Sequence, residues 1–110
     1  FVPHLIPVNS GICTTTTATL KGDLADVEHA LRSTYENSPF VRLLGNEACP
    51  DTKNVTRTNF IDIGWQYDER TGRLLLLSAE DNLGKGAASQ AVQSFNLMAG
   101  LPEMTGLGMV

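Results

Sequence analysis

Positive charge is scarce in this chain: 8 Lys and Arg stand against 12 Asp and Glu in 110 residues, for a formal net charge of −4. The few cations are scattered, so no cluster exists to neutralise a run of phosphates, and a nucleic-acid partner is excluded. Long apolar runs are also missing. Leu74-Leu75-Leu76-Leu77 falls far short of the ~20 residues that a membrane-crossing helix needs. The N-terminus lacks the charged-then-apolar order of a secretory signal, so no membrane partner is expected and the cytoplasm is the default compartment. Cysteine and histidine number two each and are far apart, which fits no zinc spacing and no nucleophile motif. Cys13 and Cys49 could in principle pair, but nothing points to an oxidising compartment, and both are expected as free thiols with structural roles.

What remains describes one modest globular domain. Apolar residues make up 42% of the chain and charged residues 18%, a balance that argues against disorder. A chain of this length buries roughly 65% of the surface its unfolded form exposes. It opens on Phe1-Val2-Pro3-His4 without an initiator methionine, as an excised or truncated product would.

Periodicity orders the elements. Gly11 to Leu20 is rich in β-branched residues and reads as a strand, which Gly22 breaks. Asp23 is a candidate N-cap, with Asp26 placed for a capping box. Leu24, Val27, Ala30, Leu31 and Tyr35 recur at helical spacing until Ser38-Pro39, which leaves His29 on the solvent side. Phe40 to Leu44 reads as a short strand and Gly45 to Thr56 as a polar loop. Ile61, Ile63, Trp65 and Tyr67 alternate with Asp62, Gly64 and Gln66, the pattern of a half-buried strand. A turn over 68–72 with Gly72 at a left-handed position then returns Leu74 to Leu77 as a strand covered on both faces. A last helix from about Lys85 to Ala99 is expected to bury Ala87, Ala91, Val92, Phe95 and Met98, with Gly100 and Pro102 ending it.

The order strand, helix, strand, strand, strand, helix predicts an α+β fold, a mixed or antiparallel sheet with helices on one face. The two apolar strands carry more surface than one helix layer can hide. A second subunit or another domain should therefore cover the sheet face.

The segment Asp81-Asn82-Leu83-Gly84-Lys85-Gly86-Ala87-Ala88 holds the candidate site. Small residues admit a ligand close to the backbone, and a helix start offers free N–H donors. Plain helix packing would use the same residues.

Several stretches resemble N-acetyl-gamma-glutamyl-phosphate reductases. They are Pro3-His4-Leu5-Ile6-Pro7, Thr58-Asn59-Phe60-Ile61-Asp62-Ile63, Asp68-Glu69-Arg70-Thr71-Gly72-Arg73-Leu74, Asp81 to Gln93, Asn96-Leu97-Met98 and Gly100-Leu101-Pro102-Glu103-Met104-Thr105-Gly106-Leu107. The likeness is collinear over nearly the whole chain. Aspartate-semialdehyde dehydrogenases share the Lys-Gly-Ala-Ala helix start, but the tail favours the arginine-biosynthesis enzyme.

The resemblance implies that residues 1–110 are the C-terminal dimerisation and substrate domain of an NADP-dependent enzyme, the Rossmann domain being absent from this chain. Such an enzyme would reduce N-acetyl-glutamyl 5-phosphate to the semialdehyde through a cysteine thiolate, with a histidine as acid and base. The Pro-Gly-Cys motif that carries the thiolate and the Gly-x-Gly-x-x-Gly fingerprint do not occur here, and His4 does not match the histidine motif. No catalytic residue and no metal ligand is therefore assigned, and the segment alone is expected to be inactive.

The resemblance further implies cofactor-side roles for Asn82, Lys85 and Gly86. Asn82 would face the nicotinamide carboxamide, or else cap the helix. Lys85 would meet a cofactor or substrate phosphate as a point charge, or else stay solvated. Gly86 would admit the ligand, or else serve packing, and Gln90 and Gln93 would serve helix contacts. Where the family shows Arg-Gly after its Pro-His-Leu segment, this chain has Ser10-Gly11, and serine cannot hold an anion in a bidentate grip. The implied partners are a small-molecule substrate, a second copy and the Rossmann domain. The other reading is a free-standing α+β dimerisation or small-ligand module with no redox role.

Overall fold

The computed structural model describes residues 1–108. Its elements follow the expected order: β1 (Ile12–Thr19), α1 (Leu24–Tyr35), β2 (Val41–Gly45), β3 (Ile61–Asp68), β4 (Arg73–Glu80) and α2 (Ser89–Met98). One 3₁₀ turn (Thr52–Asn54) interrupts the β2–β3 loop, and a π-helical turn (Gly84–Ala88) precedes α2. The four strands form one mixed sheet in the order β1-β4-β3-β2, which bears out the α+β class. β4 is central and antiparallel to both neighbours, while β2 runs parallel to β3.

Each element has a local cause. The β3–β4 hairpin turns at Asp68, whose carboxylate accepts from Arg70 N at 3.0 Å and Thr71 Oγ1 at 2.6 Å, with Gly72 at φ +66°. Asp23 takes the extended N-cap conformation, but its side chain makes no capping bond. The capping box does not form: Asp26 N donates to the Asp23 carbonyl instead. Gly100 ends α2 at φ +69°, with Leu101 N donating to the Asn96 carbonyl at 2.9 Å, the bond of a Schellman cap.

The core sits where α1 crosses the sheet. Trp65 is fully buried, donates from Nε1 to Glu28 Oε1 at 3.1 Å and lies beneath the Arg32 guanidinium. The register puts Thr14, Thr16, Ile61, Ile63, Leu74, Leu76 and Ser78 on that same face. Beyond the reach of α1 this face is open, as a groove of about 220 Å³ between Thr16, Leu31, Tyr35, Ile61, Ile63 and Leu76.

The opposite face corrects the reading of β3 as a strand with one buried side. Asp62 and Gly64 are buried, Ile61 and Ile63 are only half-buried, and Tyr67 is exposed. Two features bury the polar side. Arg42 grips Asp62 with both Nε and Nη2, at 2.5 and 3.0 Å, and its Nη2 also donates to the Asn54 carbonyl at 3.1 Å. The β2–β3 loop lies so close that a Cβ on Gly64 would come within 3.0 Å of the Ala48 carbonyl and Pro50. β4 is central, yet Leu74 alone of its four leucines is buried. Leu75, Leu76 and Leu77 are half-exposed because neither α1 nor the loop extends over them.

α2 differs from expectation more sharply. Ala87, Ala91, Val92, Phe95 and Met98 are all exposed, Phe95 at 62% and Met98 at 88%, while Gln93 and Asn96 are the buried positions. The π-helical turn carries α2 past the end of β4. The helix thus turns its polar stripe toward Asn59 and the tail and its apolar stripe outward. Cys13 and Cys49 are free and exposed.

Candidate functional site

The Asp81–Gly86 segment is a turn built around one buried carboxylate. Asp81 is 3% exposed and accepts from Arg57 N at 2.6 Å, Leu83 N at 2.9 Å and Gly84 N at 3.3 Å. Burial opposes its ionisation, but these three amides and the Ser10 side chain outweigh burial and hold the carboxyl below the ordinary aspartate value. Asp81, not Asn82, therefore accepts the backbone amides at this turn. An Asp followed by glycine three residues on, at the end of a strand, was the available signal. The same carboxylate holds Arg57 at φ +63°, among the described residues the single non-glycine in the left-handed region.

With its capping role taken, Asn82 is free for another task. Its Oδ1 accepts from Gly11 N at 2.6 Å, which ties the turn to the start of β1. No described residue accepts from its Nδ2, and its Oδ1 keeps a second lone pair, so the amide retains both a donor and an acceptor for a further partner. Ser10, which stands where the resemblance has arginine, lies beside the Asp81 carboxylate.

Lys85 is partly buried and donates from Nζ to Gln93 Oε1 at 2.7 Å, so it is not a freely solvated lysine. Burial pushes its amine below the usual lysine value, with Glu80 and Glu103 acting in the opposite direction. Gly86 is exposed, and a Cβ there would meet its nearest neighbours at 3.4 to 3.8 Å, ordinary contact distances. The glycine required by packing is Gly84, where a Cβ would come within 2.8 Å of the Thr58 carbonyl.

Asn82, Lys85 and Gly86 thus share one turn, whereas His4 lies in the exposed N-terminal segment with its ring against the Val2 carbonyl. Gln90 is exposed, while Gln93 joins Asn59, Lys85 and Glu103. Among the described residues no group of His, Cys, Asp or Glu could hold a metal ion, and no helix is long and apolar enough to cross a membrane.

The fold agrees with what known proteins share with this chain. Residues 1–82 match the family model described as semialdehyde dehydrogenase, dimerisation domain. The chain belongs to that family. Within the semialdehyde dehydrogenases it is similar to proteins named N-acetyl-gamma-glutamyl-phosphate reductase. It is 60% identical over 109 residues to that of Akkermansia muciniphila and 49% identical over 109 residues to that of Lachnospira eligens, in each case covering 97% of this chain and 31% of the relative. The Geobacter sp. (strain M21) reductase is 46% identical over 112 residues, 100% of this chain and 32% of its own. The chain therefore spans about a third of the length of these curated relatives. A crystal structure of aspartate semialdehyde dehydrogenase II from Vibrio cholerae superposes with a TM-score of 0.61 at 20% identity, over 86% of this chain and 28% of that one, and shows the shared fold. The family model ends at Asn82, so Lys85, Gly86 and α2 lie in the part shared with the reductases named above.

Proposed function

We propose that this chain is the C-terminal dimerisation and substrate-side domain of an NADP-dependent reductase of arginine biosynthesis. That enzyme reduces N-acetyl-glutamyl 5-phosphate to the semialdehyde in the cytoplasm and works as a homo-oligomer. The observation that carries this reading is the Asp81 turn. A buried carboxylate that accepts from Arg57, Leu83 and Gly84 closes the turn at the end of β4, where Asn82 Nδ2 meets no described acceptor and Gln93 holds the Lys85 ammonium.

These donors fit a nicotinamide cofactor. A carboxamide oxygen accepts from an N–H donor such as Asn82 Nδ2, and a phosphate pairs with an ammonium such as that of Lys85. Gly86 leaves the backbone open to close approach. The cofactor supplies hydride when bound. The nucleophile and the dinucleotide fingerprint belong to a Rossmann domain beyond these residues, and this domain contributes donors, orientation and the oligomer contact. The outward stripe of Val92, Phe95 and Met98 on α2 is the apolar surface that such a neighbouring domain would cover.

The test is reconstitution. The chain is mixed with a separately expressed Rossmann half of such a reductase, and NADPH-dependent reduction of N-acetylglutamyl phosphate is followed. Activity above that of either half supports the reading. Association of the halves without turnover would favour a dimerisation or small-ligand module with no redox role.

A further inference from the structure

The second buried polar cluster of the molecule lies beside the Asp81 turn and reaches from it into the tail. Gln93 is buried and uses both ends of its amide. Its Oε1 accepts from Asn59 Nδ2 at 2.8 Å and from Lys85 Nζ at 2.7 Å, and its Nε2 donates to Glu103 Oε1 at 2.6 Å. One turn along α2, Asn96 Nδ2 donates to the Glu103 carbonyl at 3.0 Å and the Thr105 carbonyl at 2.8 Å, which fixes the segment that presents Glu103. The Lys85 ammonium is thereby tied to the tail through one amide and not to its own turn.

This arrangement is more than a way of packing a helix. α2 buries two amides and leaves its larger apolar side chains outside, and buried amides cost free energy unless every donor and acceptor is paired. One is not paired: Asn59 Oδ1 is buried and meets no donor among the described residues.

We propose that Gln93, anchored by Glu103, is a positioning residue that holds the Lys85 ammonium at one point beside the Asp81–Gly86 turn. The geometry stands by itself, while its consequence for turnover rests on the proposed role of Lys85 toward cofactor or substrate. The lowered basicity of Lys85 agrees with an amine held out of water.

The test reads proton exchange of the Lys85 ammonium by nitrogen-15 NMR in the 110-residue chain, with Trp65 fluorescence as the folding control. Gln93→Met should speed exchange by roughly tenfold or more, as for a group losing its protected partner. Glu103→Ala, which removes the anchor of Gln93 together with a carboxylate that acts on the Lys85 amine, should speed it several-fold. The double change Gln93→Glu with Glu103→Gln reverses donor and acceptor between the two residues and gives the ammonium a carboxylate partner, so exchange should be at the native rate or slower. Native exchange in folded Gln93→Met or Glu103→Ala would overturn the proposal, as would a folded double variant with fast exchange. If Gln93→Met does not fold, the Glu103→Ala and double variants decide. In the reconstituted reductase, Gln93→Met should raise KM with little change in kcat. An unmoved KM beside a freed ammonium would remove Lys85 from the site and leave the positioning intact.

Discussion

Replacing Asp81 by alanine should cost this domain a large part of its stability. The carboxylate is 3% exposed and accepts three backbone amides, from Arg57, Leu83 and Gly84. A hydrogen bond to a charged group contributes about 1.5–3 kcal/mol, and a buried donor left unpaired costs about 1–3 kcal/mol. The three bonds share one acceptor and are not additive. Releasing Arg57 from φ +63° returns about 1 kcal/mol or more of backbone strain. The net expectation for Asp81→Ala is a loss of about 3–4 kcal/mol, against a total of roughly 5–15 kcal/mol for a domain of this kind. Asp81→Asn keeps one acceptor oxygen and should lose about half as much.

Urea denaturation followed by the fluorescence of Trp65, the one tryptophan in the chain and fully buried, measures both losses. The pH dependence supplies an internal check. The folded pKa of Asp81 is depressed, so its contribution is present above the unfolded aspartate value of about 3.9 and is lost as pH falls through the folded value. Asp81→Asn should therefore flatten the acid limb of the stability curve. A midpoint for Asp81→Ala corresponding to less than about 0.5 kcal/mol of change, the level of an ordinary surface substitution, would refute the reasoning.

Three further outcomes follow from packing. Gly84→Ala drives a Cβ to 2.8 Å from the Thr58 carbonyl and should cost about 1–3 kcal/mol, whereas Gly86→Ala meets only ordinary contacts and should be neutral or stabilising by about 0.4–1 kcal/mol; thermal denaturation of the pair checks the order. Leu74→Ala should cost about 2–4 kcal/mol and Leu76→Ala distinctly less, because only the first is buried; equal losses would mean that the open face is covered in solution. The chain should self-associate through the open sheet face in sedimentation velocity, and Ile63→Glu in that groove should shift it toward monomer; a wild-type monomer at every concentration would contradict this.

How much of this was legible in the sequence depended on range. The strands at 12–19 and 61–68, the hairpin at Gly72 and the stop at Gly100 rest on local patterns, and each stands within a residue or two of its expected place. The burial of Asp62 was not legible. It depends on Arg42 standing opposite it in a parallel register, which no local period reveals. The inverted burial of α2 escaped for a related reason. Periodicity shows that Val92, Phe95 and Met98 share a stripe, but not whether the cover for that stripe comes from within the chain. At the candidate site the local sequence does not show which residue takes the turn's amides or which glycine packing requires. Asp81 accepts the turn amides, Gly84 packs against the Thr58 carbonyl, and Asn82 ties the turn to Gly11.

The central claim is that this domain presents Asn82 Nδ2 to the cofactor of a reductase. The most direct measurement is the hydride-transfer rate of the reconstituted enzyme with Asn82→Asp, which keeps an oxygen that accepts from Gly11 and replaces the Nδ2 donor by a charged acceptor, with urea denaturation as the control for the added charge beside Asp81. The account predicts a domain as stable as wild type whose turnover falls by about tenfold or more, the cost of losing one oriented donor. Undiminished turnover with the turn intact would contradict it.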